Sequence, residues 1–132
     1  MIRRSVLASL LVLPFAGSAH AQTDIFAQKP IVTAVLQGDE EKVRQALLRN
    51  ESPNQTANNG QPLLIVAVTA GHIPVVETLL KGGAIVDTVD RESYTALMRA
   101  AEKNDVDIVE ILLRRNANTR GQNRQGQTAL MI

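Results

Sequence analysis

Few side chains in this sequence could do chemistry. Cysteine is absent, which excludes disulfides, thiolate nucleophiles, zinc–sulfur centres and lipoprotein-type attachment. His72 is the only histidine after residue 21, and one imidazole without a thiol builds neither a zinc site nor a Cys/His dyad. Asp39, Glu40 and Glu41 form the densest acidic cluster. They could hold a cation or serve as acid and base, but acidic residues are also what the positive end of a helix favours in its first turn. Glu102, Asp105, Asp107 and Glu110 read in the same way, as one solvated helix face. Arg114, Arg115, Arg120 and Arg124 form the best basic cluster, yet no aromatic side chain is interleaved to stack on bases. Gly82-Gly83 is not followed by Lys-Ser/Thr, so it is not a phosphate loop. No nucleophile-elbow pattern occurs either. The residues imply no enzyme, no cofactor, no metal and no nucleic-acid partner.

Composition narrows the partner class and the fold. The 132 residues carry a formal net charge of +1, too small to attract polyanions in bulk. Aromatics are only Phe15, Phe26 and Tyr94, so the core must be built from Leu, Val, Ile and Ala. That favours close-packed small helices over a sheet.

The start of the chain reads as a cleavable export address. Arg3 and Arg4 supply a positive end, Val6 to Ala16 is apolar but for Ser9 and Pro14, and Ala19-His-Ala21 is a small-x-small cleavage site. About 11 apolar residues are too few to span a bilayer comfortably. The expectation is a signal peptide over 1–21, a linker over 22–28 and one folded domain over 29–132. The product would be exported to a bacterial periplasm, or beyond it, with no membrane attachment after cleavage. Loss of Arg3 and Arg4 leaves 12 basic against 13 acidic residues, a net of −1. Arg3-Arg4 also resembles a weak twin-arginine signal.

The elements that carry these residues follow from an internal period. Thr95-Ala-Leu-Met98 returns as Thr128-Ala-Leu-Met131, a shift of 33. Under that shift Leu64, Leu97 and Leu130 coincide, as do Ala34, Ala67 and Ala100, then Val43, Val76 and Val109, then Leu47, Leu80 and Leu113. Such a period marks a stack of supersecondary units. Each unit holds two short helical patterns. In one unit they run from about Thr95 to Lys103 and from about Val106 to Arg115, with Thr95 and Asp105 placed to cap them. Pro74 suits the first turn of an earlier helix, and Gly82-Gly83 suits that helix's left-handed end. Polar turns at 54–60, 87–93 and 120–126 separate the units.

Gly71-His-Ile-Pro-Val-Val76 with Leu79-Leu-Lys-Gly-Gly-Ala84 resembles the ankyrin repeat, as do Thr95-Ala-Leu97 and the turns Asp90-Arg-Glu-Ser93 and Asn123-Arg-Gln-Gly126. The resemblance covers about Lys29 to Ile132. It implies an all-α, ankyrin-repeat solenoid of stacked helix pairs with polar hairpin turns, in units of about 29–59, 60–92, 93–125 and a truncated 126–132. The first unit has weak repeat character and is expected to cap the stack. Pro62-Leu63 looks like the family's Pro-Leu pair, with one residue inserted before Gly71. Ile65, Met98 and Met131 stand where the family has a histidine bonded to the Thr, so the turns are expected to be looser. His72, at the family's Gly-His position, is expected to hydrogen-bond between units. Because the last unit stops inside its first helix, the expectation is a fragment or truncated reading frame.

The resemblance also implies a non-enzymatic protein-binding module, more a monomer than an oligomer. Partners of the family contact the hairpin tips and the exposed side of the first helices. Carried over by position, those residues are Asn58, Asn59 and Gln61, then Arg91, Glu92 and Tyr94, then Arg124, Gln125 and Gln127. On the helices they are Leu36 and Gln37, Thr69 and Ala70, and Glu102 and Lys103. Tyr94 and Arg91 are the foremost candidates, because Tyr and Arg often carry interface energy.

Overall fold

The computed structural model describes residues 29–132; the expected export segment and linker lie outside the described residues. Six α-helices follow in order: α1 (Pro30–Gln37), α2 (Glu40–Leu48), α3 (Leu63–Ala70), α4 (Ile73–Lys81), α5 (Ala96–Glu102) and α6 (Val106–Arg114). A short 3-10 turn over Ala129–Met131 comes last. The architecture is all-helical, as expected. Helices pair within each unit, α1 with α2, α3 with α4 and α5 with α6. First helices stack as α1, α3, α5, and second helices as α2, α4, α6.

Local chemistry explains where each helix begins. Asp39 Oδ1 accepts from Lys42 N, Thr95 Oγ1 from Met98 N, and Asp105 Oδ1 from Ile108 N; each satisfies a donor that the helix itself leaves open. Pro lies in the first turn of α1 and of α4, where its missing N–H costs nothing. One surface of every helix is then buried in a continuous aliphatic core that includes Ile31, Val43, Leu63, Ile65, Val75, Leu79, Leu97, Ile108 and Leu112. Burying a side chain of that size contributes about 1.5–3 kcal/mol. α3 is buried over six consecutive residues, Leu63 to Val68, because it lies between α1 and α5.

The 33-residue period is written into the backbone as well as the side chains. Left-handed residues recur at three positions per unit: Gly38, Gly71 and Asn104; Asn50, Gly83 and Asn116; Gly60, Ser93 and Gly126. The first two sets end helices and the third closes hairpins. Asn and Ser there hold backbone angles that Gly adopts more cheaply. Three expectations are corrected by the structure. No residue is inserted in the second unit: Pro62 occupies the place of Thr95, and the isolated hairpin pairs Thr56–Pro62 and Val89–Thr95 match across the period. Of the pair Gly82-Gly83, only Gly83 is left-handed; Gly82 leaves room for Leu47, whose Cδ1 lies 2.7 Å from where a Cβ on Gly82 would stand. Among the described residues, the His72 ring makes its interunit contact by packing rather than by hydrogen bonding. It covers Gly38, at 2.7–2.8 Å from a Cβ position there. In the absence of the family histidine, Asn59, Asp90 and Asn123 side chains accept backbone N–H groups of the tips.

Candidate protein-binding surface

Each hairpin tip is built by the same backbone bonds. Ala57 N donates to Gln61 O, Asp90 N to Tyr94 O, and Asn123 N to Gln127 O, with Gly60, Ser93 and Gly126 N closing the turn. The expected tip residues therefore occupy equivalent places: Asn58, Asn59, Gln61; Arg91, Glu92, Tyr94; Arg124, Gln125, Gln127. The side-chain brace differs from tip to tip. Asp90 Oδ1 accepts the N–H of both Glu92 (2.9 Å) and Tyr94 (3.0 Å). Asn123 Oδ1 accepts from Gln125 and Gln127 N, both at 2.9 Å. Ala57 has no such acceptor, and Asn59 Oδ1 takes the N–H of Gln61 instead.

Among the described residues, ion pairs at a tip are found at the central one. Arg99, on α5, donates from Nε and Nη2 to Asp90 Oδ2 at 2.9 and 2.7 Å. It also reaches Glu92 at 3.2 Å and Glu102 at 3.0 Å. Its guanidinium lies over the Tyr94 ring, 3.8 Å from the centroid, a cation–π contact. Burial works against the Arg99 charge, but hydrogen bonds to Asp90, Glu102 and Glu92 outweigh it and hold the group protonated well above its ordinary range. The Asp90 side chain is 3% exposed and that of Arg99 is 17%, so this pair is a buried one, whereas Glu92 reaches solvent.

The structure thus gathers three of the expected residues, Glu92, Tyr94 and Glu102, around one guanidinium that the sequence reading did not single out. Arg91 does not join them: its Nη2 lies 2.6 Å from where a Cβ on Gly60 would stand, over the neighbouring tip. Lys103 Nζ donates to Thr69 O and so staples α5 to the end of α3. Asn59 and Gln61 bond to each other, and Gln127 accepts from Asn123 Nδ2. Asn58, Arg124 and Gln125 are exposed, as are Leu36, Gln37, Thr69 and Ala70 on the first helices. Arg99 had a legible signal: it replaces the apolar Val66 of the preceding unit.

The acidic clusters have ordinary roles. Asp39 caps α2, and the backbone N–H of Lys42 holds its carboxyl below the usual range. Glu40 and Glu41 both pair with Arg44, and Glu110 lies 3.7 Å from Arg114. Among the described residues, no group of three His, Cys, Asp or Glu is placed to hold a metal ion, and no helix is long and apolar enough to cross a membrane.

A concavity of about 470 Å³ lies at the far end of the third unit, lined by Leu97, Ala101, Asn104, Val106, Val109, Leu113 and Thr119 with Ala129 and Leu130. The first seven stand one period after Leu64, Val68, Gly71, Ile73, Val76, Leu80 and Val86. Leu64, Val68, Val76 and Leu80 are buried where the second unit meets the third. The concavity is the repeat of that interface, with only the start of a further unit against it.

Comparison with known proteins agrees with this geometry. A family model of ankyrin repeats (3 copies) matches residues 4–90, and one of ankyrin repeats (many copies) matches residues 79–132. The chain is similar to neurogenic locus notch homolog protein 1 of Xenopus laevis, 32% identical over 127 residues, 95% of this chain and 5% of that protein. It is similar to the ankyrin repeat and KH domain-containing protein mask of Drosophila melanogaster, 34% identical over 112 residues, 83% of this chain and 3% of that protein. Inversin of Gallus gallus is 33% identical over 119 residues, 89% of this chain and 10% of that protein. The chain spans a tenth or less of the length of these relatives. Periodicity, helix pairing and family matches together place the chain in the ankyrin-repeat family, whose repeats are generally non-enzymatic and mediate protein–protein interaction.

Proposed function

We propose that this chain is an exported, non-catalytic adaptor that holds or protects a partner protein in the periplasm. The partner meets the row of hairpin tips and the exposed edge of α1, α3 and α5. The observation that carries this reading is the register of the three tips. Equivalent backbone bonds present Asn58, Arg91 and Arg124, and likewise Asn59, Glu92 and Gln125, at one edge of the stack. Such an edge is an extended binding surface of the kind solenoids use. Its side chains are mainly amides and charges, which suits a polar interface of moderate affinity. The sequence pattern over 1–21, read as an export address, supports the compartment, and the protein is read as a monomer.

Cross-linking in living cells, followed by affinity capture, tests the reading. One abundant periplasmic protein should be captured by the parent and lost from an Arg91→Ala/Tyr94→Ala variant that stays helical. Retention of the full-length precursor in the cytoplasm would sink the exported role. Recovery of the chain outside the cell, bound to a foreign protein, would replace the adaptor with a secreted effector.

A further inference from the structure

The central tip differs from its two neighbours in a way that the scaffold does not require. Asp90 is replaced by Ala57 one period earlier and by Asn123 one period later, and Arg99 by Val66. Helix pairing and hairpin closure are nevertheless the same in the first and second tips. A buried Asp–Arg pair is also a weak way to gain stability, since the cost of removing both charges from water is close to what the pair returns. The ionic pin therefore calls for a local reason. Arg99 spends its donors on Asp90 behind it and on Glu92 and Glu102 beside it. Its flat face is left for Tyr94. The two groups it contacts at the tip, the Tyr94 ring and the Glu92 carboxylate, belong to the surface assigned above to the partner.

The geometry points to Arg99 as the positioning residue of the binding surface: it locks Tyr94 and Glu92 into the orientation in which a partner meets them, and makes the central tip the recognition centre. This inference rests on the protein-binding reading. A side chain already fixed in its bound orientation loses no rotamer freedom on association, which is where preorganisation gains affinity. The flanking tips, braced by amide side chains and without an ionic pin among the described residues, adapt around the central one.

Tyr94 allows a direct test without a partner, because it is the chain's single tyrosine and the chain has no tryptophan. Its near-ultraviolet circular dichroism reports how firmly this one ring is held. In Arg99→Val, which installs the residue of the preceding unit, the tyrosine band should fall by about half or more while the far-ultraviolet spectrum is kept. Arg99→Lys, which retains charge but lacks the fork and the flat face, should restore the band only in part. An unchanged band in Arg99→Val overturns the inference. Should that variant lose its helices, Asp90→Asn decides instead. It keeps an acceptor for the tip and removes the charge that anchors the guanidinium, so a reduced band supports the assignment and a parental band overturns it. Affinity capture then separates the two layers. Capture retained by Arg99→Val after the band is lost overturns the role of positioning in binding. Absence of any specific capture by the parent counts against the protein-binding reading, and the Tyr94 band still decides whether Arg99 holds the ring.

Discussion

Asp87 Oδ1 accepts the backbone N–H of Asn118 at 2.7 Å, joining the loop before the central tip to the next unit. One period earlier, Asn54 Oδ1 accepts the N–H of Ile85 at 2.8 Å. The same latch is thus used twice along the edge that carries the tips, once with a carboxylate and once with an amide. It fixes the spacing between units where the exposed loops share little apolar area.

Asp87→Ala should cost about 1 kcal/mol, the usual worth of one such hydrogen bond. For a domain of this size that lowers Tm by roughly 4–8 °C. Asp87→Asn, which installs the side chain used at Asn54, should recover most of the loss. Thermal unfolding followed by circular dichroism measures both.

Gly38 and Gly71 occupy equivalent helix ends, but only Gly38 is covered by an imidazole. Gly71→Ala should cost about 1 kcal/mol, from the left-handed backbone alone. Gly38→Ala should cost more, because His72 must also move. Adding His72→Ala to Gly38→Ala should bring the two sites closer together, a coupling that urea unfolding of the four variants would read.

Asp90 and Asn123 brace their tips with the same two backbone donors. Asp90→Asn should therefore keep the turn but break the buried charge pair, at about 3 kcal/mol, because an amide nitrogen in the place of Oδ2 cannot accept from Arg99. Asp90→Ala leaves Arg99 in the same state and also removes the brace on the Glu92 and Tyr94 N–H groups, so it should cost about 1–2 kcal/mol more. Equal losses in denaturant unfolding would mean that the Asx brace contributes nothing.

Leu80 and Leu113 are the same residue of the repeat, 4% and 44% exposed. Leu80→Ala should cost about 2–5 kcal/mol through the cavity it opens. Leu113→Ala should cost about 1 kcal/mol or less, because its neighbourhood is already open to solvent. Comparable losses in the 132-residue chain would show that something covers the end of the third unit.

The Asp39 cap gives a signed pH effect. Its folded carboxyl is more acidic than the ordinary value of 3.8, chiefly through the N–H of Lys42. The unfolded chain therefore takes up the proton first as pH falls. The stabilisation is complete above the ordinary value and is lost as pH drops through the folded one. Asp39→Asn, which caps without titrating, should flatten that part of an acid unfolding curve measured by circular dichroism.

Much of this molecule was legible because the repeat is simple. Leu64, Leu97 and Leu130 recur at one position, Thr95 and Asp105 have the chemistry of helix caps, and the polar turns fall between apolar patterns. Those features are local or periodic, and they locate helix pairs, hairpins and the family without any long-range contact. The insertion expected before Gly71 follows from matching Pro62-Leu63 to the family's Pro-Leu pair, whereas the hairpin pairing puts Pro62 in the place of Thr95. His72 was read by its donors and acceptors, whereas its flat ring against a bare Gly38 is what the stack uses.

By itself, then, the sequence determined the period, the helical class, the capping residues and which turns would be exposed, since each depends on propensity and spacing within about one unit. Tertiary structure alone decided that Arg99 would gather Asp90, Glu92, Glu102 and Tyr94, that Arg91 would lie on the neighbouring tip, and that Lys103 would be spent on Thr69. The reason is geometric. Long polar side chains reach several ångströms in any of many rotamers, and only the angle between a hairpin and the helix behind it selects the groups they meet.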